Sequence, residues 1–430
     1  VTKDKKYYFV IDPAFAFSEE VKWILAIFST YSGVKIDYSS DNENSIYINE
    51  YQDATIRLSS DFFKRIYAEN NGISNLPNNE LNICFEDGSI DIFSTAFYFL
   101  NCLWELDPSC KRDHWGRSEF ADSIWQKHGY KSPFTKVNQL FDLLAVKLNI
   151  EINKKKASVF LSHDIDVVYG ACLQDGFAML KKGRIFQVVK LLFEHLFRGP
   201  QWFNFRKIAL LEKKFGMTST FFWLSKRGKV LGIGWNADYN IRSKAIVKEL
   251  NWLKEKGFSN GIHKSISSST FQEEISELGI VPVANRYHYL KFSFDQLKNQ
   301  MNDSGLQIDA SLGYAQVMGY RNGYSLPFIP FDLVKRKPCS FLEVPLCIMD
   351  GTLSTYQKLS GEKAFDDIKE FLETHSQNSV ISILWHNSHF TNYKYKGYPL
   401  VYKKCLEFSS QKKWKSISLN ELIKTFVIDV

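Results

Sequence analysis

Ser158-Val159-Phe160-Leu161-Ser162-His163-Asp164-Ile165-Asp166-Val167-Val168 is a short β-branched and aromatic run that ends in two carboxylates. Its composition and length are those of a buried strand. Side chains alternate along a strand, so Asp164 and Asp166 point to the same side as it ends. In parallel α/β sheets and barrels, that end of the strands carries the chemistry. Two carboxylates on one side repel each other unless a cation lies between or beside them, and a metal ion is the usual cation. The alternative is that both aspartates simply cap the segment that follows.

Downstream the sequence alternates regularly. After a long basic and aromatic excursion over 170–205, which has a helical pattern, helices are expected at 204–215, 241–256, 270–278, 293–302 and 362–375. Strands are expected at 219–224, 260–263, 307–311 and 380–387. Such alternation predicts parallel pairing through right-handed crossovers. Further strand ends then bring polar groups to the same face: His263, with Ser267 four residues on, the run Asn285-Arg286-Tyr287-His288-Tyr289-Leu290, and Leu384-Trp385-His386-Asn387. A lone histidine is commonly structural, but Asp-x-Asp and His at two strand ends of one sheet form a coherent set of metal ligands. His389 stands three residues after His386. At a strand end those two point different ways, which argues against a separate site between them.

Upstream, residues 7–60 mix short strands (7–11 and 45–48) with an amphipathic helix at 19–31, the pattern of a small α/β unit. A helix rich in aromatic and small residues is expected at 91–106. The polar segment Lys111-Arg112-Asp113-His114-Trp115-Gly116-Arg117 follows and leads into a helical pattern at 118–129. That segment is either a sugar or anion contact or a plain surface loop. A boundary falls between Pro133 and Ser158, bridged by a leucine-rich helix at 138–148, which divides the chain into units 1–135 and 155–430.

At 430 residues the chain suits two domains. The charge of +7 is scattered in lysine clusters such as Lys154-Lys155-Lys156, with no zinc-finger spacing and no arginine-rich arm, which argues against nucleic acid. An acidic polysaccharide is compatible with it. The 15% aromatic content serves either core packing or sugar stacking. Seven irregularly spaced cysteines fit free thiols in a reducing compartment. No apolar run is long enough to span a membrane, and the opening Val1-Thr2-Lys3-Asp4-Lys5-Lys6 has no signal-peptide core, so a cytoplasmic location is expected.

Taken in order, these strand ends resemble the polysaccharide deacetylase family, the NodB-homology group of carbohydrate esterase family 4, over residues 158–430. The resemblance implies a distorted (β/α) barrel preceded by a smaller α/β domain, in a bacterial subgroup that carries such an extra N-terminal unit. His163-Asp164-Ile165-Asp166 is similar to the first motif, which implies Asp164 as catalytic base and Asp166 as metal ligand. His263 matches a metal histidine, Arg286 the arginine that holds the base, and His386 the general acid.

Asp309 matches the aspartate of the fourth motif, and with Arg321 and Asp350 it is expected to bind substrate or support the site, the other reading of Arg321 being a loop arginine paired with a neighbouring carboxylate. Three departures stand out. Ile165 separates aspartates that are usually adjacent, Ser267 stands where a second metal histidine is usual, and His288 stands in place of a proline. His288 is the replacement ligand, with Ser267 as the alternative.

The family's chemistry would be removal of an acetyl group from an N-acetylated saccharide, with a divalent ion, zinc being the expected one, held by Asp166, His263 and His288. Asp164 would take a proton from water and His386 would give one to the departing amine. Two other readings stay open. One is a metal-dependent hydrolase of a small non-sugar amide, and the other is an inactive carbohydrate-binding module.

Overall fold

The computed structural model describes residues 6–38, 45–50, 54–68 and 81–427, so the first five residues, weighed above for a leader, lie outside it. Near the N-terminus, strands β1 (Lys6–Ile11), β2 (Lys35–Asp37), β3 (Ile46–Asn49) and β4 (Ile56–Arg57) form a parallel sheet in the order β2-β1-β3-β4. Helix α1 (Ser18–Ser32) connects β1 to β2 and buries Val21, Trp23, Ile24 and Phe28. Helix α2 (Ser60–Tyr67) follows, and α3 (Ile92–Leu100) is buried along its whole length.

The helix expected at 91–106 stops at Leu100 because Asn101 and Cys102 leave helical geometry, Cys102 with φ 50°. The pattern at 118–129 yields a 3-10 turn at Phe120–Asp122 and one short α-helix, α4 (Ile124–Lys127), started by the Ser123 cap and closed by Gly129 at φ 79°. Helix α5 (Lys136–Lys147) then leads to the second sheet.

That sheet decides the architecture. Strand β5 (Ser158–Ile165) is nearly all buried, as the run of apolar residues dictates, and β6 (Ser219–Trp223) lies beside it. A small ribbon of β7 (Lys229–Val230) and β8 (Gly234–Trp235) precedes β9 (Ser259–Lys264) and β10 (Ala284–Tyr287). Then come β11 (Ile308–Asp309), a second ribbon of β12 (Phe331–Asp332) and β13 (Lys337–Pro338), and finally β14 (Leu342–Glu343), β15 (Leu346–Met349) and β16 (Val380–Leu384). Eight of these strands make one sheet in the order β14-β11-β10-β9-β6-β5-β16-β15, with every pairing parallel.

The two edge strands, β14 and β15, are joined by only Val344 and Pro345. A linker of that length spans at most about 11 Å between Glu343 and Leu346. The sheet therefore curls until its edges nearly meet, a distorted barrel whose strands all end at one rim. Gly261 shows how tightly the neighbours approach: a Cβ there would lie 2.6 Å from the Phe222 ring and 2.9 Å from the Ala284 carbonyl oxygen.

Helices α6 (Ala171–Lys181), α7 (Ile185–Arg198), α8 (Phe205–Lys213), α9 (Lys244–Glu255), α10 (Phe271–Leu278), α11 (Phe294–Ser304), α12 (Gly361–Thr374), α13 (Tyr398–Gln411) and α14 (Leu419–Phe426) complete the chain. Most return the chain between parallel strands. Helices α6 and α7 instead form a hairpin inserted directly after β5. One buried apolar cluster runs from Phe9 and α1 through α3 and α5 into β6, β9 and β10, and a second lies between the sheet and α12 and α13. Most of the aromatic content is spent in these cores.

Candidate metal and acid–base site

Five strand ends converge at the rim. Strand β5 supplies Asp164 and Asp166, β9 supplies His263, the turn after β10 supplies His288, and Asp350 and His386 follow β15 and β16. Asp166 Oδ1 lies 3.2 Å from His263 Nε2 and 3.6 Å from His288 Nε2, and the candidate ligand atoms of the three residues all lie within 4.8 Å of one another. His263 Nδ1 is 2.8 Å from the Arg286 carbonyl oxygen. A carbonyl only accepts, so Nδ1 carries a hydrogen and Nε2 is the ring nitrogen turned to Asp166. Both ring nitrogens of His288, and Asp166 Oδ1, are buried without a hydrogen-bond partner. Buried polar atoms are seldom left in that state, and one oxygen converging with two imidazoles is a donor set that fits a divalent cation.

The backbone works to aim His288. Tyr289 and Leu290, which follow it, have φ of 58° and 52°, a left-handed conformation that is costly for bulky residues. Arg117 holds this turn: its Nη1 donates to the Tyr289 carbonyl at 2.7 Å, while its Nε donates to Asp113 at 2.7 Å. Trp115 stacks on Tyr289 at 4.1 Å between ring centroids. The segment 111–117 is thus no free surface loop, and its contact with the site depends on a pairing 172 residues away in the chain.

Asp164 lies on the inner side of the cluster. Its Oδ1 is 3.4 Å from Arg286 Nη1 and its Oδ2 is 3.6 Å from His263 Nε2. Arg286 is fully buried and held by donation to Ser162 Oγ and to the Ala310 carbonyl, both at 2.8 Å. Behind it stand Asp309, which accepts from Asn285 Nδ2 at 2.6 Å, and Glu343, which accepts from the Leu312 amide at 2.9 Å. Burial pushes both carboxyls up, Glu343 well above the usual range.

Across the pocket, His386 Nδ1 is 2.6 Å from Asp350 Oδ1, and its backbone amide donates to Asp350 Oδ2 at 2.6 Å. His386 Nε2 faces Asp166 Oδ2 at 3.5 Å. The same Asp350 takes a second imidazole, His389 Nδ1, at 3.0 Å, while His389 Nε2 meets Ser354 Oγ at 2.9 Å.

The four imidazoles are set in different states. Burial pulls His386 down, but the Asp350 carboxylate outweighs it and pushes the ring up to about 10, so it is protonated at neutral pH. Burial pushes His288 down to about 3, which Asp166 only partly opposes, so it is a neutral donor. Burial likewise pushes His389 down to about 3. For His263, burial is more than offset by Asp164 and Asp166, and its value is raised. Loss of solvent would lift Asp166, yet His288, His263 and His386 together hold it well below the usual carboxylate range. Separated environments of this kind are how one site provides both an acid and a base.

These groups line a pocket of about 340 Å³. A larger cavity of about 760 Å³, lined in part by Arg112, Trp115, Lys264 and Ser267, adjoins it at Tyr287. Ser267 faces that second cavity, where its Oγ meets Ser265 Oγ, so the structure brings His288 and not Ser267 to Asp166 and His263. Arg321 is not brought to the pocket. It is 1% exposed, with Nε and Nη2 on Glu105 and Nη1 on the Gly313 carbonyl, so every nitrogen is engaged away from the pocket. Asp309 is likewise sealed behind Arg286, and Asp350 touches the two histidines and not the open pocket. Tyr289 and His389 line the pocket and were not expected there, while Arg117, which also lines it, comes from the segment for which a sugar or anion contact was one of two readings. A strand end at Met349-Asp350, adjacent to the His386 strand, was the signal available for the Asp350–His386 pair.

Fold and site together define a mixed α/β protein with a curled parallel sheet and a histidine–carboxylate cluster at its rim. Residues 9–153 match a family model described as a family of unknown function (DUF7033). No curated protein matches the sequence. Among solved structures, the chain is similar to a Mycobacterium smegmatis protein assigned as a polysaccharide deacetylase, with 12% identity, a TM-score of 0.38, and coverage of 61% of this chain and 87% of that one. It is also similar to the peptidoglycan deacetylase PdaC from Bacillus subtilis, with 10% identity, a TM-score of 0.31, and coverage of 63% and 92%. A Bordetella bronchiseptica protein assigned as a polysaccharide deacetylase involved in O-antigen biosynthesis follows at 15% identity and a TM-score of 0.30, covering 62% and 88%.

Proposed function

We propose that the chain is a metal-dependent hydrolase that removes an acetyl group from an N-acetylated saccharide. The observation that carries this reading is the meeting, in one pocket, of three parts. They are the converging set Asp166, His263 and His288, in which Asp166 Oδ1 and both His288 nitrogens are buried without a partner, a carboxylate held by a buried arginine, and an imidazole kept protonated by Asp350.

A divalent ion, zinc by the chemistry of two imidazoles and one carboxylate, would be held by Asp166, His263 and His288 and would supply Lewis acidity to water and to an amide carbonyl. Asp164, positioned by Arg286, accepts the proton from the attacking water. His386, charged at neutral pH, gives its Nε2 proton to the amine as the C–N bond breaks. Asp350 fixes the ring so that Nε2 is the atom facing the pocket. Arg117 and the Trp115–Tyr289 stack hold His288 in register. Residues 155–430 would form the catalytic unit and residues 1–135 an accessory unit that braces its rim. Seven cysteines without disulfides support a reducing, cytoplasmic compartment.

The test is acetate release from N-acetylglucosamine oligomers by zinc-loaded protein. The expected result is release that Asp164→Asn and His386→Ala abolish. Equal release from those variants would overturn the assignment. The modest pocket volume favours hydrolysis of a small non-sugar amide as the second reading. Turnover of such amides with none on the oligomers would establish it instead.

A further inference from the structure

The hairpin of α6 and α7 carries an apolar face that nothing among the described residues covers. Leu173, Phe177 and Leu180 project from α6, and Ile185, Phe186, Val189, Leu192, Phe193, Leu196 and Phe197 from α7. Phe186 is 93% exposed, Leu173 80% and Leu196 77%. On α7 the spacing Ile185, Val189, Leu192, Leu196 makes one stripe along the helix, and Phe186, Phe193, Phe197 widen it. The hairpin's own interior is separate: Met179 and Leu191 are fully buried between the helices. A contiguous apolar face of this size on a soluble surface marks an interaction site.

Charge identifies the partner. The hairpin carries Lys181, Lys182, Arg184, Lys190 and Arg198 against two acids, Asp175, buried and engaged with Thr391, and Glu194, which takes Tyr393 and lies 4.0 Å from Lys190, so cations remain in excess. A cationic rim around a wide apolar ridge complements an anionic lipid surface. A second copy docked through the same ridge would set these five cations against themselves. The 14 residues of α7 rise only about 21 Å, short of the ~30 Å hydrocarbon layer. Among the described residues no helix is long and apolar enough to cross a membrane. The helices therefore suit lying in the interface and not spanning it.

We infer that the α6–α7 hairpin is a docking surface for an anionic lipid bilayer. Its root stands at the pocket: Gln174 of α6 lines the same cavity as Asp164 and His386. Docking does not depend on the proposed chemistry, and flotation measures it without turnover.

The experiment is flotation of the full chain with vesicles of phosphatidylcholine alone and with a quarter phosphatidylglycerol. The wild type should float with the anionic vesicles, less so at high salt. Phe186→Ser, Phe193→Ser and Leu196→Ser combined should weaken this by about tenfold or more. Their side chains face water, so the thermal melt of the variant should match the wild type and exclude misfolding as the cause. Flotation that survives the triple replacement, or equal flotation with neutral vesicles, would overturn the proposal. So would a wild type that ignores both vesicles and instead forms a dimer in sedimentation that the triple replacement dissociates.

Discussion

Two of the buried charged clusters among the described residues, one around Arg321 and one around Asp166, differ in one respect that separates scaffold from chemistry. Around Arg321 every nitrogen has a partner: Glu105 accepts from Nε at 2.7 Å and Nη2 at 2.6 Å, Gly313 accepts from Nη1, and Ser118 donates to Glu105 at 3.0 Å. Around Asp166, the nitrogens of His288, Asp166 Oδ1 and Arg286 Nη2 have no hydrogen-bond partner although buried. The first cluster ties the N-terminal segment to the barrel and is complete. The second is held rigid from behind and open in front, the condition expected of a site that takes a ligand.

The largest effects should come from the open cluster. Asp164→Asn or His386→Ala is expected to lower kcat about 10²- to 10⁴-fold on a hydrolysed N-acetyl substrate, with the melting temperature little changed. A loss of fold in place of a loss of rate would erase the distinction between the clusters. In the closed cluster the opposite is expected. Glu105→Gln should destabilise by about 3–5 kcal/mol in chemical denaturation, because it strands a buried guanidinium, and should leave ion binding intact. Replacing both partners, Arg321→Met with Glu105→Leu, should recover most of that loss.

Asp350→Asn sharpens the comparison within the site. It removes the carboxylate that holds His386 up at about 10, so the alkaline limb of the kcat/KM profile should move to lower pH. The rate at neutral pH should fall by about 10- to 100-fold. An unmoved limb would take His386 out of the acid role.

The smallest effect lies outside both clusters. Burial against Tyr320 and Phe371 pushes His375 down to about 4, from an ordinary 6.5. The unfolded chain therefore binds this proton first. The contribution to stability is whole above pH 6.5 and is lost as pH falls toward 4, at most about 3 kcal/mol. His375→Phe should flatten that part of the stability–pH curve.

Much of the site was legible because its residues lie on regular strands. The alternation in β5 put Asp164 and Asp166 on one side, and the strand ends of β9 and β16 delivered His263 and His386 where the period placed them. What was hidden depended on contacts far apart in the chain. Arg321 is taken by Glu105, 216 residues away, and nothing local to Gly319-Tyr320-Arg321 announces that partner. The segment 111–117 resembles an exposed loop until Arg117 is seen to hold the Tyr289 carbonyl. The helical pattern at 118–129 gave way because its apolar residues Phe120 and Trp125 are claimed by the neighbouring core, and the chain bends to bury both.

The central claim is that Asp166, His263 and His288 hold one divalent ion. Elemental analysis of the purified chain after zinc loading, beside Asp166→Asn, His288→Ala and Glu105→Gln, tests it most directly. One ion per chain in the wild type and in Glu105→Gln, lost in the other two, is the predicted result. A wild type that takes up no zinc, cobalt or nickel, or a His288→Ala variant that keeps a full equivalent, would contradict it.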